Sequence, residues 1–127
     1  MGVGANGGST KFLVNGAGDQ TYSVAAVAGR LANVEINKAS GTVSAAAGTT
    51  TLLVSDFTLT AGTFAIAASG TLDVGGNFTV TGGTFTPNSG TLHFNSTAPA
   101  VTRTIDVPTS LTLAHLKIGG GDGACGI

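Results

Sequence analysis

The chain has 127 residues, of which 9 % are charged and 42 % hydrophobic, and its formal net charge is −1. That balance leaves no basic surface to displace counterions from a phosphate backbone, which argues against nucleic acid as a partner. A single cysteine rules out an intrachain disulfide framework, and no run approaches the roughly 18–20 consecutive apolar residues of a membrane span.

Along the chain, residues 1–10 read as a glycine-rich tail. Gly2-Val3-Gly4-Ala5-Asn6-Gly7 has the G-x-G-x-x-G spacing but neither follows a strand nor opens a helix, so it is not a phosphate loop. The tail also lacks the basic and apolar regions of a signal peptide, so an export signal is expected outside this chain. Phe12-Leu13-Val14-Asn15 is the first instance of a phrase: apolar, any residue, apolar, small turn residue. It returns as Val34-Glu35-Ile36-Asn37, Leu52-Leu53-Val54-Ser55, Leu72-Asp73-Val74-Gly75, Leu92-His93-Phe94-Asn95 and Leu116-Lys117-Ile118-Gly119, at intervals of 22, 18, 20, 20 and 24 residues. Val24 to Asn33 is Ala-rich and supports at most a short helical turn; elsewhere frequent Gly and β-branched Thr and Val disfavour helix. Phe57 and Leu59 alternate with Thr58 and Thr60, and Phe78 and Val80 with Thr79 and Thr81, the period of a strand with one buried and one wet face. Gly62, Gly70, Gly82, Gly83 and Gly90 fall where the chain must turn. Residues 119–127 form a second glycine-rich tail. It holds Cys125, a lone thiol without a ligand partner nearby, and one Gly120-Gly121-Asp122-Gly123, too little for a calcium-binding repeat.

A period near 20 residues is one coil of a β-solenoid. The spacing predicts an all-β fold, a single-stranded parallel β-solenoid of about six coils over residues 11–118. Its core is a rank of Val14, Ile36, Val54, Val74, Phe94 and Ile118, flanked by Phe57, Leu59, Phe64, Phe78, Val80 and Phe85. The alternative is an antiparallel β-sandwich, which also has many short strands with turn signals. Recurrence of Phe57 as Phe78 and Phe64 as Phe85 favours the solenoid, since parallel stacking sets like on like. A longer period overlies the first: Val14-Asn15, Gln20 to Val24 and Leu31 to Ile36 return as Phe94-Asn95, Arg103 to Val107 and Leu113 to Ile118, which suggests a super-repeat of four coils.

Gly41-Thr42-Val43, Phe57 to Phe64 and Ser89 to Asn95 resemble the degenerate Gly/Thr/Asn-rich arrays of large bacterial surface proteins, the filamentous-haemagglutinin-like adhesins and autotransporter passengers. The resemblance covers Lys11 to Ile118. It implies a right-handed parallel β-helix used as a stalk or adhesive fibre, on the cell surface or secreted, with no shared catalytic residues to carry over.

Three constellations merit weighing. The middle positions of the phrase form a column pointing outward, about 4.8 Å from coil to coil, in which Asp73 and His93, with His115 nearby, are the candidates for a metal or an acid–base pair. Their plainer reading is an exposed polar ladder, and no cofactor or catalytic residue is expected. Thr42 and Ser44, Thr58 and Thr60, Thr79 and Thr81, and Thr102 and Thr104 fall on successive coils and predict a two-column hydroxyl grid, similar to the ranks of β-helical ice-binding proteins. Threonine is also simply a good residue for a solvated strand face. Asn15, Asn37 and Asn95 suggest a partial asparagine ladder at one corner. The expected function is therefore a non-enzymatic structural or adhesive module of a secreted or cell-surface bacterial protein, one that could stack end to end into a fibre, with ice binding and polysaccharide binding or cleavage as alternatives. Expected partners are copies of the chain or neighbouring repeats, together with surface glycans.

Overall fold

A computed structural model describes residues 10–24, 29–95 and 102–119. Among them there is no helix, and every paired strand is parallel. The strands are β1 (Lys11–Val14), β2 (Gln20–Tyr22), β3 (Asn33–Ala45), β4 (Thr51–Val54), β5 (Phe57–Ala65), β6 (Thr71–Val74), β7 (Phe78–Val80), β8 (Thr84–Thr86), β9 (Thr91–Phe94), β10 (Ile105–Asp106) and β11 (His115–Ile118). They stack as a β-solenoid of about 4 turns with three faces. The first face runs β1, the start of β3, the start of β5, β7, β10; the second stacks β2, the end of β3, the end of β5 and β8. Because β3 and β5 run through the corner between them, these two faces form one seven-stranded sheet. The third face is a four-stranded sheet, β4, β6, β9, β11, extended by a bridge from Leu31 to Val54. Parallel pairing of every strand excludes the sandwich alternative.

The coil count corrects the sequence expectation. The six phrases do not form one column: the first two lie on the first face, where Phe12 stacks on Val34, Phe57, Phe78 and Ile105. The last four lie on the third face, where Leu52 stacks on Leu72, Leu92 and Leu116. The 18-residue step from Ile36 to Val54 is thus a passage to another face, of nearly the same chain length as a full coil. The super-repeat falls out of phase for the same reason. It matches Val14 on the first face with Phe94 on the third, Tyr22 on the second with Ile105 on the first, and Val34 on the first with Leu116 on the third. Each match stops one face short of whole turns. The asparagine ladder loses one member likewise: Asn15 and Asn37 each follow the in-register pair Val14 and Ile36 on the first face, whereas Asn95 follows the third-face strand β9.

Alternation sets the interior. Val34, Phe57 and Phe78, then Ile36, Leu59 and Val80, point inward from the first face; Val43, Phe64 and Phe85 from the second; Leu52, Leu72, Leu92 and Val54, Val74, Phe94 from the third, and all are buried. Phenylalanines stack along the axis, Phe57 on Phe78 at 5.4 Å and Phe64 on Phe85 at 6.0 Å. Edge contacts lock one face to the next, Phe57 to Phe64 at 4.9 Å and Phe78 to Phe94 at 5.9 Å. The corner between the first two faces is a column of glycines, Gly41, Gly62 and Gly83, with φ of 78°, 84° and 76°. A Cβ there would strain the backbone and at Gly62 would lie 2.6 Å from the Cβ of Lys38. The next corner repeats an i to i+3 turn: Thr49 N–H donates to Ala46 O, Gly70 N–H to Ala67 O and Gly90 N–H to Pro87 O.

Candidate functional site

On the third face Leu53, Asp73, His93 and Lys117 are in register, as the phrase predicts. Asp73 and His93 nevertheless are not exposed, with 6 % and 8 % of their surface accessible. The cover comes from Arg30, two turns earlier, whose neighbour Leu31 is bridged to Val54. Its Nη2 lies 2.5 Å from Asp73 Oδ1, and its Nη1 donates to the carbonyls of Val54 at 2.5 Å and Asp73 at 3.1 Å. Gly75 makes room, since a Cβ there would sit 2.8 Å from Arg30 Nη1. The other carboxylate oxygen, Oδ2, faces His93 Nδ1 at 2.8 Å and accepts from Asn95 Nδ2 at 3.3 Å. His93 Nε2 lies 2.8 Å from Gly119 O. The imidazole thus lies between a carboxylate on its own face and a backbone carbonyl of the last coil.

His115 does not join this cluster. It pairs with Thr91, stands exposed one column away, and leaves Asp73 and His93 as a pair. Among the described residues no three of His, Cys, Asp and Glu are gathered to hold a metal, and the Arg30 guanidinium occupies Oδ1 of Asp73. Cys125 lies outside the described residues.

The threonines are divided between faces. Thr58 and Thr79 are in register on the first face, but the residue before Thr58 in that column is Glu35, not Thr42. Thr42 stacks with Thr63 and Thr84 on the second face, and Ser44 with Thr21. Thr104 is drawn to the corner, its N–H donating to Asn77 Oδ1 at 3.0 Å, and Thr102 lies exposed before β10. The four expected ranks therefore reduce to two adjacent ones, Thr58 with Thr60 and Thr79 with Thr81. Two further threonine columns went unread in the sequence: Thr42, Thr63, Thr84 on the second face and Thr51, Thr71, Thr91 on the third.

Other polar groups also tie coil to coil. Lys11 pairs with Glu35, whose Oε1 accepts from Thr60 Oγ1 at 3.1 Å; the Lys11 ammonium holds the Glu35 carboxyl below the usual range, against a smaller effect of burial and with help from Thr60. Lys38 is 1 % exposed, its Nζ donating to Gly18 O and Gln20 Oε1, both at 2.7 Å. Asp56 Oδ1 accepts from Asn77 N–H at 2.7 Å, and Asp19 Oδ1 from Thr42 N–H at 2.8 Å. Burial pushes the Tyr22 phenol up, against a smaller opposing effect of the Ala67 backbone.

The remaining feature is apolar. The exposed large hydrophobic residues among those described are Phe12, Leu13, Ile105, Leu116 and Ile118, all on the first or last strands. Four of them occupy inward positions, in register with buried Val34, Phe78, Leu92 and Phe94 one turn in.

No protein-family model, no curated protein and no solved structure matches this chain.

Proposed function

We propose that the chain is a non-enzymatic structural and adhesive repeat module of a secreted or cell-surface bacterial protein. The observation that carries this reading is the span of its polar contacts. The side-chain hydrogen bonds and ion pairs described above join residues 18–27 positions apart, one turn of the solenoid, or 43 in the case of Arg30 and Asp73, two turns. Ionisable groups that would converge around a substrate in an enzyme are here committed to bracing one coil against the next. Together with hydrogen-bond ladders on three faces, such braces suit a rod that transmits load along its axis. The Gly/Thr/Asn-rich texture of surface arrays supports the cellular setting.

Single-molecule extension tests the mechanical half: held by its two ends, the chain should resist until coils detach, and smooth extension without a force peak would overturn the reading. A glycan array tests adhesion, with retention on defined polysaccharides as the expected result. A second reading rests on Thr42, Thr63 and Thr84, whose methyl and hydroxyl groups repeat at strand spacing along one face as an ordered template for ice-like water. Inhibition of ice recrystallisation, lost in Thr63→Tyr, is its expected sign.

A further inference from the structure

We infer that the two ends of this solenoid dock on each other, the last coil of one copy receiving the first coil of the next. The inference rests on the structural reading above and adds its partner, a second copy of this chain. Three observations favour a copy as the occupant. The first is the composition of the ends: β1 offers Phe12 at 57 % exposure, and the opposite end offers Ile105, Leu116 and Ile118 at 50 %, 52 % and 61 %, each at a position that is core one turn further in. Parallel strand edges accompany these side chains at both ends, β1 at one and β10 with β11 at the other, and among the described residues no further strand pairs with them, so backbone groups and apolar side chains are presented together.

The second is phase. The described spiral enters on the first face at Lys11 and leaves the third face at Ile118, a sequence of whole turns. A copy laid on the last coil therefore places its β1 on β10, continuing the column Phe12, Val34, Phe57, Phe78, Ile105 with another Phe12. Tyr22 of the incoming copy meets Val107, Leu111 and Leu113, which are partly buried against the core.

The third is charge. In the same register Asp106, exposed and aligned with Thr79, comes beside the incoming Lys11 and Leu13. On the third face Lys117 approaches the column headed by Arg30, but that guanidinium is already turned along the column to Asp73. The contact is heterologous, so it does not close and grows a filament.

Sedimentation of the full chain at rising concentration, with negative-stain electron microscopy, tests this. The intact protein should shift to larger species and form thin unbranched rods. Phe12→Lys spoils one end and Ile118→Lys the other; both positions are solvent-exposed, and circular dichroism checks that each variant keeps its β-fold. Each variant alone should remain monomeric, while an equimolar mixture should form a dimer and stop there, because only one good pair of ends is left. Association of either variant alone would overturn the head-to-tail contact in favour of like ends pairing. A concentration-independent monomer of the intact chain would overturn the inference altogether, with the ends covered by the chain's own glycine-rich termini as the remaining occupant. That failure leaves the mechanical reading standing, since resistance to extension is measured on one isolated copy.

Discussion

A residue's position in a strand determines which way it points, but not whether water reaches it. Asp73 occupies an outward position and is still buried, because Arg30 lies across it and His93 and Asn95 close the other side. A carboxylate removed from water in this way is tolerated only while its partners remain. Replacing Asp73 with Ala takes away the carboxylate between the guanidinium and the imidazole, leaving them only their backbone carbonyl partners, and should cost about 3–5 kcal/mol in urea unfolding. Combined with Arg30→Ala, the loss should fall short of the sum by about 1–3 kcal/mol, as expected of groups that share one contact; additive losses would show that Arg30 and Asp73 do not work as a pair. Glu35 supplies a pH dependence. Its carboxyl is held low in the folded chain by Lys11, so its contribution is complete above the ordinary carboxylate range and disappears as the pH falls through the lowered value. The intact chain should therefore lose more stability than Glu35→Gln between neutral and strongly acidic pH. Because Lys11 is largely exposed, added salt should shrink that difference. Equal losses for the two proteins would remove the Lys11 pairing from the account.

Corners distinguish elements more sharply than strands do. Alternation of Phe57 and Leu59 with Thr58 and Thr60 reveals which side of a strand is core, and the structure buries those two apolar residues. What alternation lacks is a label for the face. Val34-Glu35-Ile36 and Leu72-Asp73-Val74 carry the same pattern because every face presents the same problem, an apolar interior and a wet exterior, so six similar phrases read as six coils where there are two columns. The cover over Asp73 was equally hidden, since Arg30 reaches it from 43 residues away and only the stacking brings them together. The glycines at turns were legible, but not their different constraints. Gly48 and Gly62 have nearly the same φ, 83° and 84°; a Cβ at Gly48 meets open space, whereas one at Gly62 would collide with Lys38 Cβ. Gly48→Ala should thus cost only the left-handed backbone penalty, about 1–2 kcal/mol, and Gly62→Ala distinctly more, because Lys38 is itself held by Gly18 and Gln20 and cannot simply move aside. Chemical denaturation of the two variants side by side checks this, and equal destabilisation would mean that the corner relaxes around Lys38.

For the whole molecule, stacking in one dimension makes stability a matter of neighbours. A central coil has two interfaces and a terminal coil one, so local opening should become easier toward each end. The described strands are graded in this way. β5 is paired with β3 on one side and with β7 and β8 on the other, while β1 pairs only with β3 and the two-residue β10 holds β7 through Ile105 and Asp106, with Thr104 O accepting from Phe78 N–H. Burial follows, with Phe57, Leu59 and Phe64 of β5 in the core and all of β10 and β11 exposed. Amide hydrogen exchange at low concentration should therefore show greatest protection in β5 and β6, less in β1, and least in β10 and β11. As concentration rises, docking of ends should raise protection in β1, β10 and β11 while β5 stays unchanged, because only the terminal coils gain a neighbour. Uniform protection along the chain at low concentration would contradict a solenoid held together coil by coil. A concentration effect spread evenly over β5 and the end strands would point instead to association through the sides of the rod.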